Sequence, residues 1–339
     1  MFECTMVKKK ILLTGASGTV GKEVFKELLK RTNEYEVSLF LRGSKKNRKL
    51  FKRYLNKVRI VWGTLQNYQE VEKAVNEQDA VIHVAAALPD IAFKNPDIVV
   101  STNVGGTQNV IKAMENQKNP PKLIFTSSVA TYGDRRKNPI IKLSDPVDKN
   151  TKELYASTKI QAENLIRESK LEYCIFRLPF VLSTDVLKFR RVMFYIALET
   201  SVESIHAKDV GLALVNAIES KDVWYKTFNL GGGKQCQMSY RDNIDDMYEI
   251  MGFGRGFLPE EAYSKIHSHC GFYDAQETNY IQSILQFQNF TLEDFYKEVN
   301  KWIGIKKYLV PIVKPLLRWY FLRRSEFYQD YRRKRKKKR

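Results

Sequence analysis

The stretch ILLTGASGTVG, Ile11 to Gly21, decides the fold. Ile11, Leu12 and Leu13 form an apolar run entered from Lys8-Lys9-Lys10, the pattern of a short buried strand. Gly15, Gly18 and Gly21 follow at three-residue intervals, and Val24, Phe25, Leu28 and Leu29 give residues 22–30 helical periodicity. Strand, glycine turn and helix in that order make a dinucleotide-binding turn, which a glycine triplet without those flanks would not. Gly15 permits the tight turn, Gly18 lets backbone amides approach a pyrophosphate, and Gly21 lets the helix pack close to the strand. The phosphates then sit on the helix N-terminus, where free N–H groups and the helix dipole favour anions. Thr14, Ser17, Thr19 and Val20 lie in the same turn and join the three glycines as candidate cofactor contacts.

Outward from this turn the pattern repeats. Residues 37–41 read as a second strand, 57–62 as a third, 80–86 (AVIHVAA) as a fourth and 122–127 (KLIFTS) as a fifth. Helical segments fit between them, notably 69–76 and 103–115, and a long one over 153–170 precedes an apolar strand at 173–178 that stops at Pro179. Strands alternating with helices at this spacing argue for βαβ units and a parallel sheet. Beyond Pro179, residues 206–218 read as a helix, 227–230 as a short strand, and Gly231-Gly232-Gly233 as a boundary. Helices at 242–251 and 292–303 belong to a smaller second lobe. The expected fold is α/β: a Rossmann-type doubly wound parallel sheet with a small C-terminal substrate lobe and a basic tail. Residues 1–180 form the dinucleotide-binding domain, with 205–231 packing back on it. Residues 181–204 and 232–305 form the substrate lobe, and 306–339 the tail.

The chain has 339 residues and a net charge of +19, but the charge is unevenly spread. Residues 42–59 hold nine Lys/Arg and no acid; residues 306–339 hold fourteen against Glu326 and Asp330, a net of +12. The rest is near neutral, so the basicity belongs to two patches. Cys4, Cys174, Cys236 and Cys270 are widely spaced with no CxxC pair, which suits free thiols in a reducing compartment. His267, His269 and Cys270 cluster, but no second ligand group stands at zinc spacing, so no metal is expected. No long apolar segment precedes the first strand and no uncharged apolar run approaches bilayer length. The expected location is the cytoplasm.

Two positions bear on chemistry. The residue at the end of the second strand meets the adenosine ribose, where an acid bonds the 2′-hydroxyl and an arginine accommodates a 2′-phosphate. Here the strand ends Phe40-Leu41-Arg42, with Lys45, Lys46 and Arg48 behind and no acid, which favours NADP(H) over NAD(H). Tyr155 and Lys159, in YASTK, stand one helical turn apart on one face. About two such pairs are expected by chance in this composition. This one opens the helix after the fifth strand, whose end carries Ser127 and Ser128, and ligands of open parallel sheets bind at the carboxyl ends of strands. A tyrosine with an ordinary pKa near ~10 exchanges protons at neutral pH only if a cation lowers it, and Lys159 is placed to do so.

In these residues the chain resembles the extended short-chain dehydrogenase/reductases, the group of NAD-dependent epimerases and dehydratases, dihydroflavonol reductases and 3β-hydroxysteroid dehydrogenases. The landmarks run in order: TGASGTVG at 14–21, DAVIHVAA at 79–86, NVGGT at 103–107, SSVATYG at 127–133, YASTK at 155–159, RLPFV at 177–181, HAKDVG at 206–211 and FNLGG at 228–232. The resemblance covers about two-thirds of the chain. It implies Ser128 as catalytic serine, Tyr155 as acid/base and Lys159 as the ribose-binding lysine, the last two also contacting cofactor. It further implies that Asn103 fixes the segment near the site among the cofactor-side residues. Ala85 and Ala86 would line the cofactor groove, and Pro179 and Phe180 would flank the nicotinamide. His206 and Asp209 match a structural motif behind the site.

Departures from the family pattern bear on substrate. Gly63-Thr64-Leu65 stands where many members have Gly-Asp-Leu, so the usual carboxylate to the adenine amine is missing. Ser128 is followed by Val129-Ala130 and not by the Asp-Glu pair of the dehydratases, which argues against water elimination. Leu178 to Ser183 lacks the Asn-x-Tyr-Gly-Pro run of nucleotide-sugar enzymes, and the interval from Pro179 to His206 is short. The sequence therefore favours an NADP(H)-dependent reductase of a small or lipid-like carbonyl. Its alternatives are a redox-neutral NAD-dependent sugar-nucleotide epimerase, which SSVATYG favours, and a non-catalytic dinucleotide sensor. The family often pairs through helices like 153–170, so a homodimer is a candidate state.

The tail alternates Leu309-Val310, Ile312-Val313, Leu316-Leu317 and Trp319 to Leu322 with Lys314, Arg318, Arg323 and Arg324, then ends in eight basic residues. That composition suits an interfacial segment on an anionic membrane, with attachment to its inner face, ahead of nucleic-acid contact or a solvated end. Pro311 and Pro315 argue against one straight helix before Leu316.

Overall fold

The computed structural model describes residues 7–92, 94–187, 191–265 and 270–337. Its first half runs β1 (Lys9–Thr14), α1 (Thr19–Lys30), β2 (Tyr35–Leu41), α2 (Lys45–Phe51), β3 (Arg59–Trp62), α3 (Tyr68–Val75), β4 (Ala80–His83), α4 (Pro89–Ala92), α5 (Pro96–Val100), α6 (Gly106–Glu115), β5 (Lys122–Ser128), β6 (Ile140–Ile141) and α7 (Leu154–Glu168). There follow β7 (Tyr173–Leu178), β8 (Phe180–Leu182), β9 (Ser201–His206), α8 (Ala207–Asn216), β10 (Lys226–Asn229), β11 (Gln237–Ser239) and α9 (Tyr240–Ile250). The chain ends with β12 (Phe272–Tyr273), α10 (Ala275–Leu285), α11 (Leu292–Ile303), α12 (Val310–Arg324) and α13 (Glu326–Lys337).

Seven strands form one sheet in the order β10-β7-β5-β4-β1-β2-β3, with every neighbouring pair parallel. Strands β1 to β5 and β7 each carry an apolar run of at least three residues because the sheet is covered on both faces. Ile11, Leu13, Leu39, Ile82, Ile124 and Phe176 pack with Val24, Phe25, Leu28, Val210 and Leu214 of α1 and α8. Their neighbours Leu12, Phe40, Val81, Phe125 and Ile175 point the other way, into Val71, Val110, Met114 and Ile166 of α3, α6 and α7. The chain order reverses between β1 and β4, and at such a switch point the loops diverge and leave a crevice.

The second lobe is built on β8, β9 and β11, where β8 runs parallel and β11 antiparallel to β9, with a short β6–β12 pair beside them. Strands β6, β8, β11 and β12 have two or three residues each, too few to show periodicity, and β9 (SVESIH) has no apolar run, so none of them is among the expected strands. The strand expected at 57–62 begins at Arg59, and the one expected at 80–86 stops at His83, where the loop leaves the sheet for the crevice. The helix expected from residue 103 opens with a π turn, Ser101–Gly105, before α6. His206 caps α8, its Nδ1 accepting from the Lys208 amide at 3.2 Å. Asp209 accepts from the amides of Asn289 and Phe290 at 3.2 and 3.1 Å, which ties the segment before α11 to α8.

The tail departs from expectation. Residues 310–324 form one continuous helix through both prolines. Pro311 falls in the first turn, where a missing N–H costs nothing, and only Pro315 forgoes a helical bond. The loss is offset because Leu317, Phe321 and Leu322 pack on the aromatic cluster of the second lobe.

Candidate active site

The glycine turn lies at the switch point. Gly15 has φ +77°, and a Cβ there would stand 2.7 Å from the Ala85 amide nitrogen, so the turn and the end of β4 touch backbone to backbone. The Gly15 carbonyl accepts from the Gly18 amide at 2.9 Å. A Cβ on Gly21 would lie 2.1 Å from that same carbonyl, which fixes how closely α1 seats against the turn. Helix α1 has Gly18 as its N-cap, no side-chain cap and no acid in its first turn. Its leading amides are thus free of side-chain acceptors, and a diphosphate matches such a cradle. Ser17, Thr19 and Val20 border it half-buried. Thr14 differs from its predicted role: its buried hydroxyl bonds His83 Nδ1 at 2.7 Å and accepts from the Ala85 amide at 3.3 Å, so the side chain is spent on protein groups. Burial holds His83 neutral, its pKa lowered to about 3, with the Lys159 charge acting in the same direction.

At the end of β2, the Arg42 carbonyl accepts from Ser44 and Asn47, and its side chain is exposed. Lys45 and Lys46 also face solvent, whereas Arg48 is committed, lying 4.8 Å over the Trp62 ring and donating to the Gly43 carbonyl at 3.1 Å. The turn at Gly63-Thr64 does meet a carboxylate: Glu70 of α3 accepts from the Thr64 amide at 2.8 Å. Sequence reasoning missed it because the residue comes from six positions downstream.

Ser128 closes β5 and pairs in register with Leu178, so Pro179 and Phe180 begin where the strand pair ends. Its Oγ accepts from the Ala130 amide at 3.2 Å, which fixes the hydroxyl at the head of a short 3-10 turn. Helix α7 brings Tyr155 beside Ser128. Both residues are half-buried, and Lys159 one turn further is fully buried behind them. The Lys159 Nζ donates to the Thr126 carbonyl at 2.7 Å and stands 4.5 Å over the Phe125 ring. Burial lowers Lys159 to about 8, opposed by the Glu163 carboxylate. Burial raises Tyr155 to about 12, aided by Glu153 and opposed by the neighbouring Ser128 hydroxyl. The expected lowering of the tyrosine by its lysine neighbour is not found: the ammonium donates to the Thr126 carbonyl, and loss of water dominates at the phenol.

Asn103 sits in the π turn, buried. Its Oδ1 accepts from the Ala87 amide at 2.7 Å while its Nδ2 donates to the Ala87 carbonyl and Thr158 Oγ1, both at 3.1 Å. It joins the β4 loop, with Ala85 and Ala86, to helix α7. All these bonds go to protein groups. Beneath the site, Arg177 of β7 forms a two-point pair with Glu163 at 3.0 and 2.7 Å and donates to the Tyr132 hydroxyl at 2.7 Å. Glu163 also accepts from Ser127 Oγ at 2.5 Å and Arg167 at 2.6 Å. The sequence did carry a signal for this network: Tyr155, Lys159, Glu163 and Arg167 recur every four residues, one face of a single helix. Among the described residues no group of three His, Cys, Asp or Glu side chains is placed to hold a metal; His267 and His269 lie outside them.

The arrangement sets two half-buried hydroxyls at the end of β5, with a buried cation behind them and an anion cradle at the end of β1, beyond β4. Such a set can move a proton to or from a substrate oxygen beside a bound dinucleotide.

A model of the NAD dependent epimerase/dehydratase family matches residues 11–231. The UDP-glucose 4-epimerase of Rickettsia felis is 31% identical over 132 residues, which are 37% of this chain and 38% of that one, so the match spans little more than a third of the relative's length. Among solved structures, the UDP-glucuronic acid 4-epimerase of Bacillus cereus, in complex with UDP-glucuronic acid and NAD, superposes with a TM-score of 0.69 at 21% identity. That superposition covers 87% of this chain and 98% of that one. A dTDP-glucose 4,6-dehydratase double mutant from Streptomyces venezuelae, with NAD bound, gives 0.72 at 18% identity over 86% and 96% of the two chains.

Proposed function

Because the chain belongs to the NAD dependent epimerase/dehydratase family, we propose that it is a redox-neutral epimerase of a sugar nucleotide, with NAD as resident cofactor. The observation that supports the reading is the placing of Tyr155 beside Ser128 at the carboxyl end of β5, with Lys159 buried one helical turn behind. The sugar-nucleotide class rests on the epimerases that the chain is similar to. Oxidation at one sugar carbon followed by reduction from the opposite face inverts its configuration.

The leading amides of α1 and the turn from Gly15 to Gly21 would hold the diphosphate, and Lys159 would hold the nicotinamide ribose. Ala85, Ala86, Pro179 and Phe180 would flank the groove. When bound, the dinucleotide supplies the hydride acceptor and donor. Ser128 Oγ holds the sugar oxygen by a hydrogen bond. Tyr155 Oη takes the proton as the alcohol becomes a ketone and returns it on reduction. With burial holding its phenol at about 12, Tyr155 needs positive charge close by to lose a proton at neutral pH. Lys159 is the protein's own source of that charge. Asn103 and Glu163 position the β4 loop and α7.

A second reading, a net carbonyl reductase using NADP(H), is favoured by one observation. Arg42 stands exposed at the end of β2 with Lys45 and Lys46 near and no acid between 42 and 59. Native mass spectrometry of the freshly purified protein separates the two. An epimerase arrives with NAD bound and interconverts UDP-sugars with no cofactor added. Protein that arrives empty, prefers NADPH and turns over only with added reductant supports the reductase instead. In either case Tyr155→Phe should lower turnover by about 100-fold or more while cofactor binding persists. Undiminished turnover in that variant would leave neither catalytic reading standing.

A further inference from the structure

We propose that the solvent face of α12 is a docking surface for an anionic lipid bilayer, carried on the second lobe of the protein. The helix has two apolar stripes on opposite sides. Val310, Leu317 and Phe321 face inward and join the aromatic cluster of Tyr248, Phe253, Phe257 and Tyr263. The Phe257 and Phe321 rings lie 5.9 Å apart, and Arg318 Nε donates to the Phe257 carbonyl at 3.0 Å. At the end of the helix, buried Ser325 donates to the Ala262 carbonyl at 2.6 Å. The helix is therefore pinned to the lobe.

The other stripe is exposed among the described residues. Leu309, Ile312, Val313, Leu316, Trp319 and Tyr320 recur at the three- and four-residue spacing of one helix face, and all are exposed, Ile312 to 76%. Trp302, Ile305 and Tyr308 extend the row from the preceding turns, Ile305 to 84%. A contiguous apolar strip of this kind marks an interaction surface. Its borders identify the partner. Arg323 stacks 4.9 Å over Trp319 and Arg324 4.5 Å over Tyr320, while Lys306 and Lys307 stand at the other end. Helix α13 continues with six consecutive basic residues from Arg332 to Lys337, in a segment with a net charge of +12 over residues 306–339. Apolar row, boundary Trp and Tyr, and flanking bases are the pattern of a helix lying in the headgroup plane. No helix among the described residues is long and apolar enough to cross a membrane, so the helix would lie on the surface. Pairing of two copies through this face would set basic borders against each other, and a nucleic acid would leave the apolar row unused.

The cluster that holds the helix also contains Val129, next to Ser128, with Phe180 packed against it. Docking would thus place the lobe beside the candidate site at the lipid surface. The proposal does not depend on which reaction that site performs.

The test is co-sedimentation of the full chain with phosphatidylcholine vesicles, with and without about 30% phosphatidylserine. Binding is expected only to the anionic vesicles and should weaken as salt rises. The double variant Leu316→Glu, Trp319→Glu changes two exposed side chains. It should keep the melting temperature and solution turnover of the parent yet bind at least about tenfold more weakly. The proposal is overturned if the parent stays in the supernatant, or if the variant binds as the parent does. Vesicle binding absent while single-stranded RNA is retained equally by parent and variant would assign the tail to nucleic acid. A parent dimer that the variant dissolves, again without vesicle binding, would assign the stripe to a second copy.

Discussion

Tyr155 and Lys159 show how one environment sets two acidities in opposite senses. Burial penalises charge, so the phenol rises to about 12 and the ammonium falls to about 8. Lysine is protonated below its pKa, so the cation that supports a phenolate is present at neutral pH and is lost as pH climbs through about 8. The kcat/KM profile should therefore fall on its alkaline side with a midpoint near 8, measured with the substrate in which turnover is established. Lys159→Arg keeps its charge to pH ~12 and should shift that fall upward, even in a slower enzyme. An alkaline limb unmoved by the substitution would remove Lys159 from the proton-handling role.

At the scale of elements, the site exists because two close approaches are allowed. The turn after β1 touches the end of β4 through Gly15, and α1 closes on the turn through Gly21. Gly21→Ala would place a methyl group 2.1 Å from the Gly15 carbonyl, a backbone atom that moves only if the turn opens. The expected outcome is a loss of about 1–3 kcal/mol in urea unfolding, together with a collapse of dinucleotide affinity measured by titration. Destabilisation with normal affinity would mean that the cradle does not depend on this packing. Helix α7 is the other element in question. It carries Tyr155, Lys159 and Glu163 on one face, and the buried Glu163–Arg177 pair ties that face to β7. Breaking such a pair from one side typically costs about 3–5 kcal/mol, because the remaining charge is left buried alone.

Across the whole molecule, the proposed dinucleotide site joins elements distant in sequence, so a cofactor that binds there should stabilise the fold. A ligand that binds only the folded state contributes about 2.7 kcal/mol at a hundred times its dissociation constant. Cofactor-free protein should therefore melt several degrees higher with NAD, and the larger shift between NAD and NADP at equal concentration identifies the cofactor. Equal absence of a shift with both would argue against a dinucleotide site altogether. The uneven charge has a consequence at this scale too. Outside residues 42–59 and 306–339 the chain is near neutral, and residues 306–339 alone carry a net of +12, so salt should act on the tail's interactions far more than on the central sheet.

The sequence by itself determined the parallel sheet and the position of the crevice. Apolar runs buried on both faces, broken by glycine turns and amphipathic helices, admit few other arrangements, and Ile11 to Gly21 states the switch point in eleven residues. It also placed Ser128, Tyr155 and Lys159 together, because a strand end and the start of the next helix are local features. Tertiary structure alone decided what depends on contacts between distant segments. The Thr14 hydroxyl is spent on His83, sixty-nine residues away, and Glu70 fills the turn that lacks its usual acid. Burial, and not the charge of Lys159, sets the acidity of Tyr155. The three-residue segments β8 and β11 of the second lobe become strands only where β9 offers them an edge. Helix α12 persists through Pro315 because its inner stripe finds an aromatic surface, a gain from packing that no local propensity contains.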